Sequence, residues 1–148
     1  MENPSIQILL ADDDESDRFI FQEAFEELEI KTVVHLLNDG VQLMAYLNKK
    51  GAILPQLLFL DLNMPRKNGL ECLKEIRSNE KFNDIFIAIY STSATEKDIE
   101  ETFSNGANVY IKKPADFTKL KQLLNKTVMN VLLYQELPFA RSNFLLKL

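Results

Sequence analysis

Short apolar runs alternate with amphipathic stretches along this chain. Ile6–Ala11, Leu57–Leu60 and Ile85–Tyr90 are almost continuously apolar, the pattern of strands buried on both faces. Thr32–Leu37 opens with β-branched residues, and Val109–Ile111 is a shorter run of the same kind. Between them the period changes to that of a helix. In Asp14–Leu28, the side chains Phe21, Ala24, Phe25 and Leu28 recur at i, i+3, i+4 and i+7. Val41–Asn48 turns Leu43, Met44 and Leu47 to one side, and Lys49–Pro55 reads as a surface loop punctuated by Gly51 and Pro55. A third helix is predicted from about Leu70 to Ser78, after the turn signals Pro65 and Asn68-Gly69. A fourth, Glu96–Ser104, stops at Asn105-Gly106. The last starts near Asp116 and carries Leu120, Leu123, Leu124, Val128 and Val131 on one face. Five strand–helix units in succession predict an α/β fold, a five-stranded parallel sheet with helices on both faces.

Composition narrows the class without changing this picture. At 148 residues, 46% of them apolar, the chain is one domain with a real core. A formal charge of −5 argues against a nucleic-acid surface, and no apolar run is long enough to cross a bilayer. The single cysteine, Cys72, excludes an internal disulfide and fits a cytoplasmic protein. Met1-Glu2-Asn3-Pro4 lacks the basic start of a signal peptide. None of the four glycines belongs to a phosphate-cradling loop.

The chemistry lies where the strands end. The first runs into Asp12, Asp13 and Asp14, the third into Asp61, the fourth into Ser91 and the fifth into Lys112-Lys113-Pro114. Parallel strands share a carboxyl edge, so these groups converge where open α/β sheets bind ligands. Close carboxylates repel one another unless a cation joins them. Hard oxygen ligands suit Mg²⁺, and an ammonium and a hydroxyl opposite them suit a phosphoryl group. Each residue also has a plainer reading. Asp61 and Asp14 could simply cap turns, Lys113 could be a solvated loop lysine, and Tyr110 could be core filling. His35, the only histidine, reads as a core or edge residue, and Cys72 as packing.

Leu10-Ala11-Asp12-Asp13, Leu60-Asp61-Leu62-Asn63-Met64-Pro65 with Gly69, Ser91, and Lys112-Lys113-Pro114 together resemble the receiver domain of bacterial two-component response regulators. The resemblance covers roughly Ile6 to Tyr134 and implies the flavodoxin-like, chemotaxis-type fold. It implies that Asp61 is the phosphoacceptor, Asp13 a direct Mg²⁺ ligand and Asp12 a ligand mostly through metal-bound water. The backbone carbonyl of Asn63 would complete the protein ligands. Ser91 and Lys113 would bind phosphoryl oxygens, and Tyr110 would be the switch aromatic. Gly106 to Ile111, with Lys113-Pro114 and Asp116-Phe117, is similar to the single-domain regulators that work with bacterial phytochromes. Implied partners are a sensor histidine kinase or phosphotransfer protein and a downstream protein.

Some positions depart from the family's common pattern. Ser91 replaces the commoner threonine, Thr92 is bulkier than the usual small residue, and Asn63 and Ser93 stand where the family tunes acyl-phosphate hydrolysis. The expected function is a phosphorylation switch rather than an enzyme beyond self-catalysed phosphorylation and dephosphorylation. A receiver-shaped module without phosphate control is the first alternative. An aspartyl-phosphate hydrolase of the dehalogenase type is the second, but its general acid two residues after Asp61 is here Asn63. The receiver domain is expected over residues 1–134, with 135–148 an extension too short for an output domain. In that extension Pro138 should break the last helix, and Phe139, Phe144, Leu145, Leu146 and Leu148 carry apolar surface. It should pack on its own sheet or last helix, or across a homodimer.

Overall fold

The computed structural model describes residues 5–133 and 143–147. Strands β1 (Ile6–Ala11), β2 (Thr32–Leu37), β3 (Leu57–Leu60), β4 (Phe86–Ser91) and β5 (Val109–Lys112) alternate with helices α1 (Glu15–Glu27), α2 (Gly40–Asn48), α3 (Gly69–Arg77), α4 (Glu96–Ser104) and α5 (Phe117–Leu133). All strand pairs are parallel, in the order β2-β1-β3-β4-β5. The predicted doubly wound fold is the one found, with boundaries moved by a residue or so. The main omission is a 3₁₀ turn, Glu80–Phe82, which buries Phe82. Pro55, expected in a surface loop, is buried.

The uniform apolarity of β3 and β4 has a direct cause: every residue of both is buried, because helices cover both faces. On one side Phe21, Ala24 and Phe25 of α1 meet Leu120, Leu124 and Val128 of α5 over Ile8, Leu10, Phe59 and Tyr90. On the other, Leu43 and Leu47 of α2, Leu73 and Ile76 of α3, and Ile99 of α4 cover Leu9, Leu58 and Ile87. β2 forms an edge, and its alternation of half-buried and exposed residues, His35 among the exposed ones, follows from that place.

The chain leaves β1 for β2 on one side and returns through β3 on the other. A crevice therefore opens between the carboxyl ends of β1 and β3, the usual ligand site of such sheets. Both flanking turns end in capped helices. Asp14 caps α1 by accepting from the Asp17 amide at 2.9 Å, and Asn68 and Glu71 form a reciprocal capping box at α3.

Segment 143–147 returns to the opposite edge. Leu145 pairs in parallel with Tyr110 of β5, whose amide donates to the Phe144 carbonyl at 2.8 Å. The Leu146 amide donates to the Tyr110 carbonyl, also at 2.8 Å. Phe144 is fully buried, its ring 5.3 Å from that of Phe103 and 6.2 Å from that of Tyr110. The described part of the extension thus packs against the sheet. The expected break at Pro138 and the positions of Phe139 and Leu148 lie outside the described residues.

Candidate functional site

Asp12 follows β1 directly and is fully buried, while Asp13 beside it faces solvent. Asp61 follows β3 and is 5% exposed. Oxygens of these three carboxylates lie within 4.8 Å of one another, and no other acidic, histidine or cysteine group among the described residues forms such a cluster. The arrangement holds because β1 and β3 are adjacent and in register, Ala11 against Leu60, so both chains turn outward at one level.

Lys113, one residue past β5, crosses the crevice. Its Nζ stands 2.7 Å from Asp12 Oδ2, 2.8 Å from Asp17 Oδ2 and 3.4 Å from Asp61 Oδ2. Below it the Tyr90 ring centroid lies 5.2 Å away, a cation–π contact. Its backbone amide donates to the Ser91 carbonyl at 2.8 Å, so β4 fixes its height. Burial opposes the lysine's charge, but hydrogen bonds to Asp12 and Asp17 and the surrounding carboxylates outweigh it and raise its pKa. The ammonium is locked on.

Asp61 responds the other way. Burial pushes its pKa up to about 6, the Lys113 charge works against this, and Asp12 adds to the rise. Its Oδ1 accepts from the Asn63 amide at 3.2 Å. Gly69 stands behind it because a Cβ there would overlap the Asp61 carbonyl oxygen.

The donor set fits a hard divalent cation. Asp12 Oδ2 is fully buried, and its charge is met by the Lys113 ammonium at 2.7 Å. Three carboxylates this close, one of them buried, make a set of hard oxygen donors suited to positive charge.

Ser91 is fully buried at the end of β4, where its Oγ accepts from the Ser93 amide at 3.3 Å. Tyr110 is also fully buried, and its hydroxyl donates to the Ser93 carbonyl at 2.7 Å. Burial raises the tyrosine's pKa, while hydrogen bonding with Ser91 and Ser93 restrains the rise. The ring therefore faces inward against the loop that carries Ser91. Thr92 and the side chain of Asn63 are exposed at the mouth.

Every residue singled out from the strand ends stands at this edge. Asp17 was missed, and Phe144 was read only as apolar surface of the extension, without its contact to Tyr110. Asp17 is the third residue of α1, and its reach to Lys113 depends on how α1 leaves β1. Phe144 meets Tyr110 only through the returning segment. The sole signal for Asp17 was its place one helical turn beyond Asp13.

A parallel α/β sheet here gathers three carboxylates and a lysine at its switch point, where such folds bind their ligands. The family described as response regulator receiver domain matches residues 8–125. The chain belongs to that family, and its part in two-component signalling is that of a receiver. It is 32% identical over 126 residues to response regulator Rcp1 of Synechocystis sp., covering 82% of this chain and 86% of that protein. The structure of the phosphorylated cyanobacterial phytochrome response regulator RcpA superimposes with a TM-score of 0.82 at 33% identity, over 92% of this chain and all of that one. The Mn²⁺-bound form of Rcp1 superimposes with a TM-score of 0.77 at 28% identity, over 93% of this chain and 100% of that one.

Proposed function

We propose that Asp61 is the residue that takes the phosphoryl group. The carrying observation is its place: a nearly buried carboxylate beside Asp12, with Lys113 Nζ 3.4 Å away. With a pKa of about 6 it is mostly ionised at neutral pH and available as a nucleophile. One of its oxygens attacks the phosphorus of a phosphohistidine on a sensor kinase or phosphotransfer protein. The new O–P bond forms as the P–N bond breaks, and the imidazole leaves with that bond's electron pair. Lys113 and the Ser91 hydroxyl then bind phosphoryl oxygens. Asp12, Asp13, Asp61 and the Asn63 backbone carbonyl would hold Mg²⁺, which when bound neutralises the carboxylates and the transferring group. The Mn²⁺-bound form of Rcp1 supports a divalent cation at this edge, and the phosphorylated form of RcpA supports the acceptor role.

Tyr110 is the element that senses the group, because its hydroxyl is tied to Ser93, two residues after Ser91. Output passes by protein contact or onward phosphotransfer, in the cytoplasm and without direct contact to nucleic acid or membrane. The β5 edge is already covered by segment 143–147, so a homodimer built on that edge requires this segment to leave or to exchange.

Incubation with acetyl phosphate and Mg²⁺, followed by mass spectrometry of the intact protein, tests the assignment. The wild type is expected to gain one phosphoryl group and Asp61→Asn none. Equal labelling of the two proteins would remove Asp61 from its role.

A further inference from the structure

Lys113 faces three carboxylates, but only two of them, Asp12 and Asp61, belong to the cluster suited to a cation. The third is Asp17, whose Oδ2 accepts from Nζ at 2.8 Å. Its side chain comes from the first turn of α1 and is one-third exposed, whereas that of Lys113 is 8% exposed. The carboxylate that reaches in from the rim is thus the partner outside the metal cluster. Asp14 and Arg18 hold the turn that carries it: Asp14 Oδ1 accepts from the Asp17 amide, and Arg18 donates to the Asp12 carbonyl at 2.8 Å.

We propose that Asp17 is a positioning residue that acts through Lys113 and sets how readily the acidic pocket admits a divalent cation. The inference rests on the reading of Asp12, Asp13 and Asp61 as the metal site. Without metal, the ammonium itself is the cation of the pocket, close to both Asp12 and Asp61. A metal entering the cluster must displace it from them. Asp17 supplies a place for the displaced ammonium, still beside the crevice and within reach of a phosphoryl oxygen. Without the Asp17 carboxylate, the lysine has only Asp12 and Asp61 to pair with and competes for them. Contacting charged groups couple strongly enough for such a competition to be measurable.

The test is a double-mutant cycle on binding of Mn²⁺ alone, followed by the loss of its free-ion EPR signal. Asp17→Asn is expected to weaken Mn²⁺ binding by about threefold or more, the scale of coupling between charged neighbours. Asp17→Glu should restore much of the loss. Glu15→Gln removes an equal charge from the same exposed turn and should change affinity less than twofold, since exposed charges are strongly screened. In a Lys113→Ala background, Asp17→Asn should have no more effect than Glu15→Gln. With acetyl phosphate, Asp17→Asn should raise the Mg²⁺ concentration for half-maximal phosphorylation while changing the rate at saturating Mg²⁺ less. An Asp17→Asn loss that persists without Lys113, or that Glu15→Gln reproduces, would overturn the positioning role. Failure of the wild type to bind Mn²⁺ would instead overturn the metal reading, and this inference with it.

Discussion

At the residue scale, the site is a balance of charges that burial makes expensive. Asp61 ionises near pH 6 in the folded protein, because burial and then Asp12 outweigh the help from Lys113. An unfolded aspartate ionises at about 3.9. Between these values the folded state binds more protons, so this group's contribution to stability falls as pH rises from about 4 to about 6. In metal-free buffer, Asp61→Asn is therefore expected to melt above the wild type at pH 7. The gap should close as pH is lowered through 6 towards 4. Thermal melts across that range check it, and a gap independent of pH would contradict the balance described. The same logic makes Lys113→Ala increase divalent-metal affinity, because Nζ at 2.7 Å from Asp12 occupies the cation's place. The family resemblance alone suggested little effect there.

At the element scale, one close approach sets the site. The start of α3 is pressed against the end of β3, with the Gly69 amide donating to the Leu62 carbonyl at 3.0 Å. The space a Cβ would need is filled by Asp61 main chain. Gly69→Ala must push helix and strand apart, at a cost of about 1–3 kcal/mol for overpacking. Because the displaced backbone carries Asp61, Mn²⁺ affinity should fall together with the melting temperature. A variant that melts lower with unchanged Mn²⁺ affinity would separate α3 packing from the site. Arg66, in the same β3–α3 loop, adopts a positive φ of 68°, the left-handed region that favours glycine. Some strain is held in the loop that follows Asp61.

At the scale of the whole molecule, segment 143–147 joins the far edge of the sheet to the site. Phe144 packs on Tyr110, Tyr110 donates to Ser93, and Ser93 donates its amide to Ser91. Phe144→Ala should cost roughly 3 kcal/mol, the lower end for a buried phenylalanine. The loss should not depend on protein concentration if the contact stays within one chain. Thermal melts at two concentrations with sedimentation velocity check this. A melting temperature that rises with concentration would mean that the segment is exchanged between copies.

The sequence alone was enough for the fold class and for the acidic pocket, for one physical reason. In a parallel sheet buried on both faces each strand is a short apolar run, and the first one or two polar residues after it stand at the shared carboxyl edge. Asp12, Asp61, Ser91 and Lys113 could therefore be placed together from their positions alone. Their individual states were decided only in three dimensions. The raised pKa of Asp61, the buried ion pair of Asp12 with Lys113 and the inward ring of Tyr110 depend on burial and approach that no spacing encodes. Asp17 and Phe144 make contacts, with Lys113 and with Tyr110, that were hidden for the same reason. One comes within hydrogen-bonding distance of Lys113 from 96 residues away, and the other seals Tyr110 by pairing a returning segment with the edge of β5. Local patterns determine which elements form. Contacts between residues so far apart exist only once those elements have packed.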